Sequence, residues 1–242
     1  MNQKKSHGKS NTVPKATAQT VSRTADNKLK VLIIDDHSIV RMGIRSLIDR
    51  EEDLAVCGEG ESVPHAIELF EKHKPELVTV DISIPGNGLE LIKDLIVRNP
   101  KVLVLVLSMH DENIYAERAL KAGAKGYLSK DLAGELLITA LRKVLAGQVY
   151  LSESMTSRLL SRMAGGQPEV EESPIHDLSD RELQVFNLIG RGFPTRRIAQ
   201  ELNLSVKTVE TYREHIKHKL ALPDSSALMT MAIDWAQSQK SG

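Results

Sequence analysis

Three aspartates, a serine and a lysine between positions 35 and 130 have the side chains needed to move a phosphoryl group. Asp35 and Asp36 close the apolar run Val31-Leu32-Ile33-Ile34, and Asp81 closes Leu77-Val78-Thr79-Val80. Ser108 ends the run from Val102 to Leu107, and Gly126-Tyr127-Leu128 leads through Ser129 to Lys130. Clustered carboxylates repel one another unless a cation joins them, and hard oxygen ligands with open positions suit Mg²⁺. One carboxylate can then serve as nucleophile while the ammonium and the hydroxyl take phosphate oxygens. A single Asp after a strand reads more simply as the N-cap of the next helix. Three together favour a site.

These residues need a scaffold that brings distant positions to one edge. Short apolar runs bounded by polar residues read as buried strands of a parallel sheet. Strands are expected near Val31–Ile34, Leu54–Gly58, Leu77–Val80, Val102–Leu107 and Lys125–Leu128. Helices are expected near His37–Arg50, Val63–His73, Leu89–Arg98, Glu112–Ala122 and Ala133–Ala146. The alternation implies right-handed crossovers and an α/β doubly wound sheet covered on both faces. In such sheets the ligand site lies beyond the carboxyl ends of the strands, where all five residues fall.

The stretch from about Lys30 to Gly147 resembles the receiver domain of two-component response regulators. The match covers the Asp-Asp pair, the mid-domain Asp, Ser108, Tyr127 and Lys130 in family order, and the run Leu107-Ser108-Met109-His110-Asp111-Glu112. The resemblance implies a flavodoxin-like fold with Asp81 as phosphoacceptor. It implies Asp36 as a direct Mg²⁺ ligand, Asp35 holding the metal through water, and the Ser83 carbonyl completing the set with Asp81. Lys130 would pair with the phosphate, Ser108 would swing toward it, and Tyr127 would turn inward. One departure stands out: the loop from Asp81 to Gly88 is one residue shorter than the family usually has. Pro85-Gly86-Asn87-Gly88 still reads as a turn.

Composition fits a two-domain regulator inside the cell. The 242 residues are ample for two domains, each with its own core, and a single Cys57 rules out an intramolecular disulfide framework. No uncharged apolar stretch approaches eighteen residues, so a membrane span is not expected, and the polar start lacks a signal-peptide core. The expected location is the cytoplasm. Formal net charge is zero, so nucleic-acid binding must rest on local placement rather than overall charge. Residues 1–28, rich in Lys, Ser, Thr, Asn and Gln, read as a disordered basic tail. The receiver is expected over 29–147, a linker with a helix around Glu153–Met163 over 148–176, and a second domain over 177–242.

That second domain is a short run of helices. Leu178, Leu183, Phe186, Leu188 and Ile189 fall at helical spacing after Ser179, an N-cap with Glu182 at the capping-box position. Gly190-Arg191-Gly192-Phe193-Pro194 ends this helix, and Thr195 is expected to cap the next, which carries Ile198, Ala199 and Leu202. Asn203-Leu204-Ser205 turns the chain into a third helix, Val206 to Lys219. Small Ala199 permits the close crossing a helix-turn-helix needs to set its recognition helix in the major groove.

Leu178–Glu182, Ile198–Leu202 and Ser205–Tyr212 resemble the LuxR-type helix-turn-helix. A receiver followed by this domain is the arrangement of NarL/FixJ-type response regulators. By position, the helix-turn-helix spans Ile198 to Lys217, and Glu210, Thr211 and Glu214 take groove-facing sites. Lys207, Thr208, Tyr212, Arg213 and Lys217 complete the expected DNA-binding set. The glutamates can accept from cytosine N4 or fold back on Arg213 or Lys217; the sequence leaves both open.

The resemblance therefore implies a regulator that a sensor histidine kinase phosphorylates and that binds promoter DNA as a homodimer. Phosphate at the sheet edge would bias a two-state receiver toward its active arrangement. Two other classes compete. One is a haloacid-type phosphatase, but Ser83 stands where that family carries its acid/base Asp, so the receiver would only assist its own phosphorylation and dephosphorylation. The other is a phosphorylation-independent DNA-binding regulator with a scaffold receiver, which the complete set of five residues disfavours.

Overall fold

The computed structural model describes residues 28–165 and 174–238. The basic tail expected over 1–28 thus lies, apart from Lys28, outside the described residues, as do positions 166–173 of the linker. Ten α-helices and five strands follow in order among the described residues. They are β1 (Leu29–Ile34), α1 (Ser38–Ile48), β2 (Leu54–Gly60), α2 (Val63–His73), β3 (Leu77–Val80), α3 (Gly88–Arg98), β4 (Leu103–Ser108), α4 (Glu112–Ala122), β5 (Gly126–Ser129) and α5 (Ala133–Leu145). Beyond them come α6 (Glu153–Met163), α7 (Asp180–Gly190), α8 (Thr195–Glu201), α9 (Val206–Lys219) and α10 (Ser225–Ser238).

The five strands are all parallel, in the order β2-β1-β3-β4-β5. Burial on both faces is why β1, β3 and β4 read as nearly continuous apolar runs. Val31 and Ile33 of β1 pack with Ile44, Ile48, Leu137 and Leu141 of α1 and α5. Leu32 and Ile34 point the other way, toward Phe70, Leu91 and Ile92 of α2 and α3. β1 and β2 run further than the apolar runs alone suggest, because Leu29 pairs with Leu54 and Ile34 with Gly60. Pairing, not side-chain type, sets those ends.

The chain leaves β1 toward β2 on one side and returns to β3 on the other. The carboxyl ends of β1 and β3 therefore flank the switch point where an α/β sheet opens a crevice. The ladder continues one residue past β3, with the Asp81 N–H donating to the Ile34 carbonyl (2.8 Å). After β3 the backbone bends back tightly: a side chain at Gly88 would run into the Ile82 backbone and the Asp81 carbonyl. Asn87 caps α3, its side-chain oxygen accepting from the N–H groups of Leu89 (3.0 Å) and Glu90 (3.3 Å).

Helix α7 starts with the expected capping box, Ser179 and Glu182 each bonding the other's backbone N–H. Thr195 departs from expectation. It is the first residue of α8, and Pro194 takes the cap position without a side-chain bond, since its fixed φ already suits the extended entry. Between α8 and α9, Asn203 adopts φ 52°, a left-handed conformation Asn tolerates, and Ser205 Oγ accepts from the Thr208 N–H (3.0 Å). Helix α10 has no counterpart in the sequence reading. Its signal is Asp224, whose Oδ1 accepts from the Ser226 (2.8 Å) and Ala227 (2.9 Å) N–H groups.

Candidate functional site

The sheet edge brings Asp35, Asp36 and Asp81 together with a residue the sequence reading missed, His37. Carboxylate and ring atoms of the four lie within 4.8 Å of one another. Asp35 and Asp81 are each 1% exposed, whereas Asp36 is open to solvent. Two buried carboxylates need compensation, and Lys130 supplies it from the end of β5. Its Nζ lies 2.7 Å from Asp35 Oδ2 and 2.6 Å from Asp81 Oδ2. Burial opposes the ammonium charge, but Asp81 and Asp35 outweigh it and hold Lys130 above its ordinary pKa. The second oxygens are also committed. Asp35 Oδ1 accepts from the His37 N–H (2.8 Å) and Asp81 Oδ1 from the Ser83 N–H (3.0 Å). His37 Nδ1 leans on Asp36 Oδ1 (2.8 Å) from an exposed position. Its only sequence signal was adjacency to the Asp-Asp pair.

Ser108 and Tyr127 sit behind this cluster, both buried. Ser108 Oγ accepts from the His110 N–H (3.1 Å). Tyr127 points inward and its hydroxyl donates to the His110 carbonyl (2.7 Å). Burial pushes the Tyr127 phenol up, so it stays protonated and able to donate. Burial lowers His110 to about 4, which keeps its ring neutral. That ring stacks on Tyr115 with centroids 4.7 Å apart. An apolar histidine beside a polar site leaves no periodic signature, so sequence reasoning passed over it.

The donor set fits a divalent cation: three carboxylates offer hard oxygen atoms at one strand edge, with Asp36 reachable from solvent.

The second candidate region is α9. Lys207, Glu210, Thr211 and Glu214 are exposed, while Thr208, Tyr212, Arg213 and Lys217 are half-buried. Thr208 and Thr211 hydroxyls are engaged within the helix, with Ser205 Oγ (2.7 Å) and the Lys207 carbonyl (3.1 Å). The alternatives left open for the glutamates divide here. Glu214 pairs with Lys217 Nζ (2.9 Å), whereas Glu210 makes no ion pair among the described residues. The far end of α9 is clamped to α7: Lys219 Nζ donates to Glu182 Oε2 (2.7 Å) and the Asp177 carbonyl (3.1 Å). Glu182 is nearly fully buried, and although burial opposes its charge, Lys219 and the Ser179 N–H keep its pKa below the usual carboxylate range.

A five-stranded parallel receiver-type sheet with acidic residues at its switch point, followed by helices carrying a helix-turn-helix, defines a class: response regulators with a DNA-binding output domain. Comparison with known proteins bears this out. Residues 31–142 match the response regulator receiver domain, and residues 176–232 match the bacterial regulatory proteins of the LuxR family. The transcriptional regulatory protein DegU of Brevibacillus brevis is 35% identical over 222 residues, covering 86% of this chain and 94% of the relative. The response regulator UvrY of Escherichia coli K12 is 35% identical over 207 residues, 85% of this chain and 94% of the relative. Among solved structures, RcsB from Salmonella enterica serovar Typhimurium, bound to promoter rprA in the presence of phosphomimetic BeF3−, aligns with a TM-score of 0.63. That alignment has 29% identity and covers 84% of this chain and 98% of that one. The chain belongs to the NarL/FixJ family of two-component response regulators and regulates transcription. No helix among the described residues is long and apolar enough to cross a membrane.

Proposed function

We propose that Asp81 accepts a phosphoryl group from a sensor histidine kinase in the cytoplasm and that the phosphorylated chain binds promoter DNA as a homodimer. One observation carries the reading: Lys130 Nζ bridges the buried Asp35 and Asp81 carboxylates, 2.7 and 2.6 Å away. A surface lysine seldom accepts that desolvation; one that must greet an incoming phosphoryl group does.

In the transfer, an Asp81 carboxylate oxygen attacks phosphorus as the bond to the donor's nitrogen or oxygen breaks, and the leaving group keeps the electron pair. Asp35, Asp36, Asp81 and the Ser83 carbonyl would hold Mg²⁺, which supplies charge neutralisation at the phosphoryl oxygens. Lys130 exchanges the Asp81 oxygen for a phosphoryl oxygen, and the Ser83 N–H already aims at Asp81. Ser108 then turns its hydroxyl from the His110 N–H toward the phosphoryl group. Ser83 offers no acid/base group for repeated turnover, so the acyl phosphate is a signal and not an intermediate of an enzyme.

On the output side, Thr208 and Lys217 mainly position α9 on the DNA backbone, Lys207, Tyr212 and Arg213 add contacts to phosphate or bases, and Glu210, Thr211 and Glu214 face base edges. The test is incubation with acetyl phosphate and Mg²⁺, read by intact-protein mass. One phosphoryl group on the parent and none on Asp81→Asn is expected, since an amide is a poor nucleophile. Equal incorporation in both would refute the assignment of Asp81.

A further inference from the structure

His37 follows the Asp-Asp pair directly, and its ring is not spent on the helix it begins. The residue is the N-cap of α1, yet its side chain makes no capping bond. Backbone groups make the local bonds: the His37 carbonyl accepts from the Arg41 N–H (3.1 Å), and the His37 N–H donates to Asp35 Oδ1 (2.8 Å). The imidazole turns toward the acidic cluster instead. Its Nδ1 lies 2.8 Å from Asp36 Oδ1 and 3.4 Å from Asp35 Oδ1.

An exposed contact between imidazole and carboxylate adds little stability of its own, so its spacing matters more than its strength. Ligand atoms about 2.0–2.2 Å from one ion lie roughly 3.0–3.6 Å apart when adjacent. The two His37 distances fall close to that spacing. Donor atoms of Asp35, Asp36, His37 and Asp81 all lie within 4.8 Å of one another, against about 4.4 Å for ligands on opposite sides of an ion. The few tenths of an ångström that remain can come from Asp36 and His37, whose side chains are 33% and 64% exposed. Asp35 and Asp81 are buried and held by Lys130. No other group of three or more His, Cys, Asp or Glu side chains gathers in this way among the described residues.

The added donor changes which ions the cluster suits. Mg²⁺ takes oxygen ligands and keeps several waters. An imidazole nitrogen serves Mg²⁺ poorly but is a good ligand for first-row transition ions, and affinity for sites with nitrogen and oxygen donors rises from Mn²⁺ through Co²⁺ and Ni²⁺ to Cu²⁺. One nitrogen beside three carboxylates therefore shifts the preference without removing any oxygen that Mg²⁺ would use.

We propose that His37 Nδ1 is a fourth side-chain ligand at this strand edge and opens the phosphorylation site to a divalent first-row transition ion, Co²⁺, Ni²⁺ or Zn²⁺, in competition with Mg²⁺. The neutral ring binds through the Nδ1 lone pair and carries its hydrogen on Nε2. This rests on the proposed Mg²⁺ site and adds the residue that sets its metal preference.

The experiment titrates full-length chain, without phosphodonor, with Mg²⁺ and with Co²⁺ by calorimetry in the parent, in His37→Gln and in Asp36→Ala. Glutamine offers an oxygen where His37 offers a nitrogen. The ratio of Co²⁺ to Mg²⁺ affinity should fall about tenfold or more in His37→Gln, since even a group that only orients a ligand is worth about 10–100-fold in metal affinity. The visible absorption of bound Co²⁺ should change too, because a nitrogen leaves its ligand set. Asp36→Ala should weaken both ions, which places them at this cluster and not at another of the chain's eight histidines. An unchanged ratio or an unchanged Co²⁺ spectrum in His37→Gln overturns the proposal, whatever happens to the separate affinities. Co²⁺ binding untouched by Asp36→Ala also overturns it. A parent chain that binds Co²⁺ through His37 and does not bind Mg²⁺ would retire the Mg²⁺ reading and leave the His37 ligand standing. A parent that binds neither ion overturns both.

Discussion

The acidic pocket and the recognition helix both pair carboxylates with lysine, yet they hold those charges in opposite ways. In the pocket the partners are almost out of water: side-chain exposure is 1% for Asp35 and Asp81 and 6% for Lys130. On α9 the Glu214 side chain is 69% exposed beside Lys217. A buried pair is obligatory, because losing one partner strands the other in low dielectric. An exposed pair adds little and lets go easily. Under the proposed function, one added charge disturbs the pocket, and the helix exchanges its own partners for DNA.

The largest expected effect follows from burial. Lys130→Ala leaves Asp35 and Asp81 facing each other with no cation, and should cost about 3–5 kcal/mol in metal-free urea unfolding. Added Mg²⁺ should recover part of that loss in the variant. An unchanged unfolding midpoint would show that Lys130 is not the pocket's counter-ion. Any Lys130→Ala protein that does take phosphate should bind its operator no better than before, since no ammonium reports the phosphoryl group.

Next in size is a pH effect at His110. Its pKa is held at about 4 by burial, against 6.5 for a free imidazole. Between those values the unfolded chain binds the extra proton and the folded chain does not, so stability falls as pH drops through 6.5 toward 4. The loss approaches about 3 kcal/mol at the lower end. His110→Asn should flatten that part of the stability–pH curve, and an identical slope in parent and variant would place the titration elsewhere.

The smallest effects belong to α9. Glu210, unpaired in the helix, should discriminate at one base pair, so Glu210→Ala relaxes preference there by about 1–3 kcal/mol. Glu214→Ala should do less, because Lys217 already occupies its carboxylate. Lys217→Ala should weaken binding to all sequences and lower the salt slope by about one unit. Binding to cognate and scrambled DNA across a salt series separates these outcomes. Equal losses on every sequence for Glu210→Ala would remove it from the base edges.

The two regions also differed in how far the sequence revealed them. Strand-end carboxylates were legible because an apolar run marks its own end, and parallel topology carries all such ends to one edge. Helix α9 was legible from Ser205 to Lys219, since a cap and a spacing define it. Contacts between distant surfaces were not. Arg118 on Asp180, Asn187 on Tyr115 and Lys219 on Glu182 join positions far apart in the chain, and no local pattern encodes such pairs. Thr195 misled for a different reason: it has the cap residue's chemistry, but Pro194 before it had already fixed the backbone.

The most direct measurement is the affinity of full-length chain for a selected two-half-site duplex, with and without acetyl phosphate and Mg²⁺, in the parent and in Asp81→Asn. The account predicts tighter binding on phosphorylation for the parent, by five-fold to about a hundred-fold, and no response from Asp81→Asn. A parent whose affinity is the same with and without phosphodonor, while its mass shows the phosphoryl group in place, would contradict it.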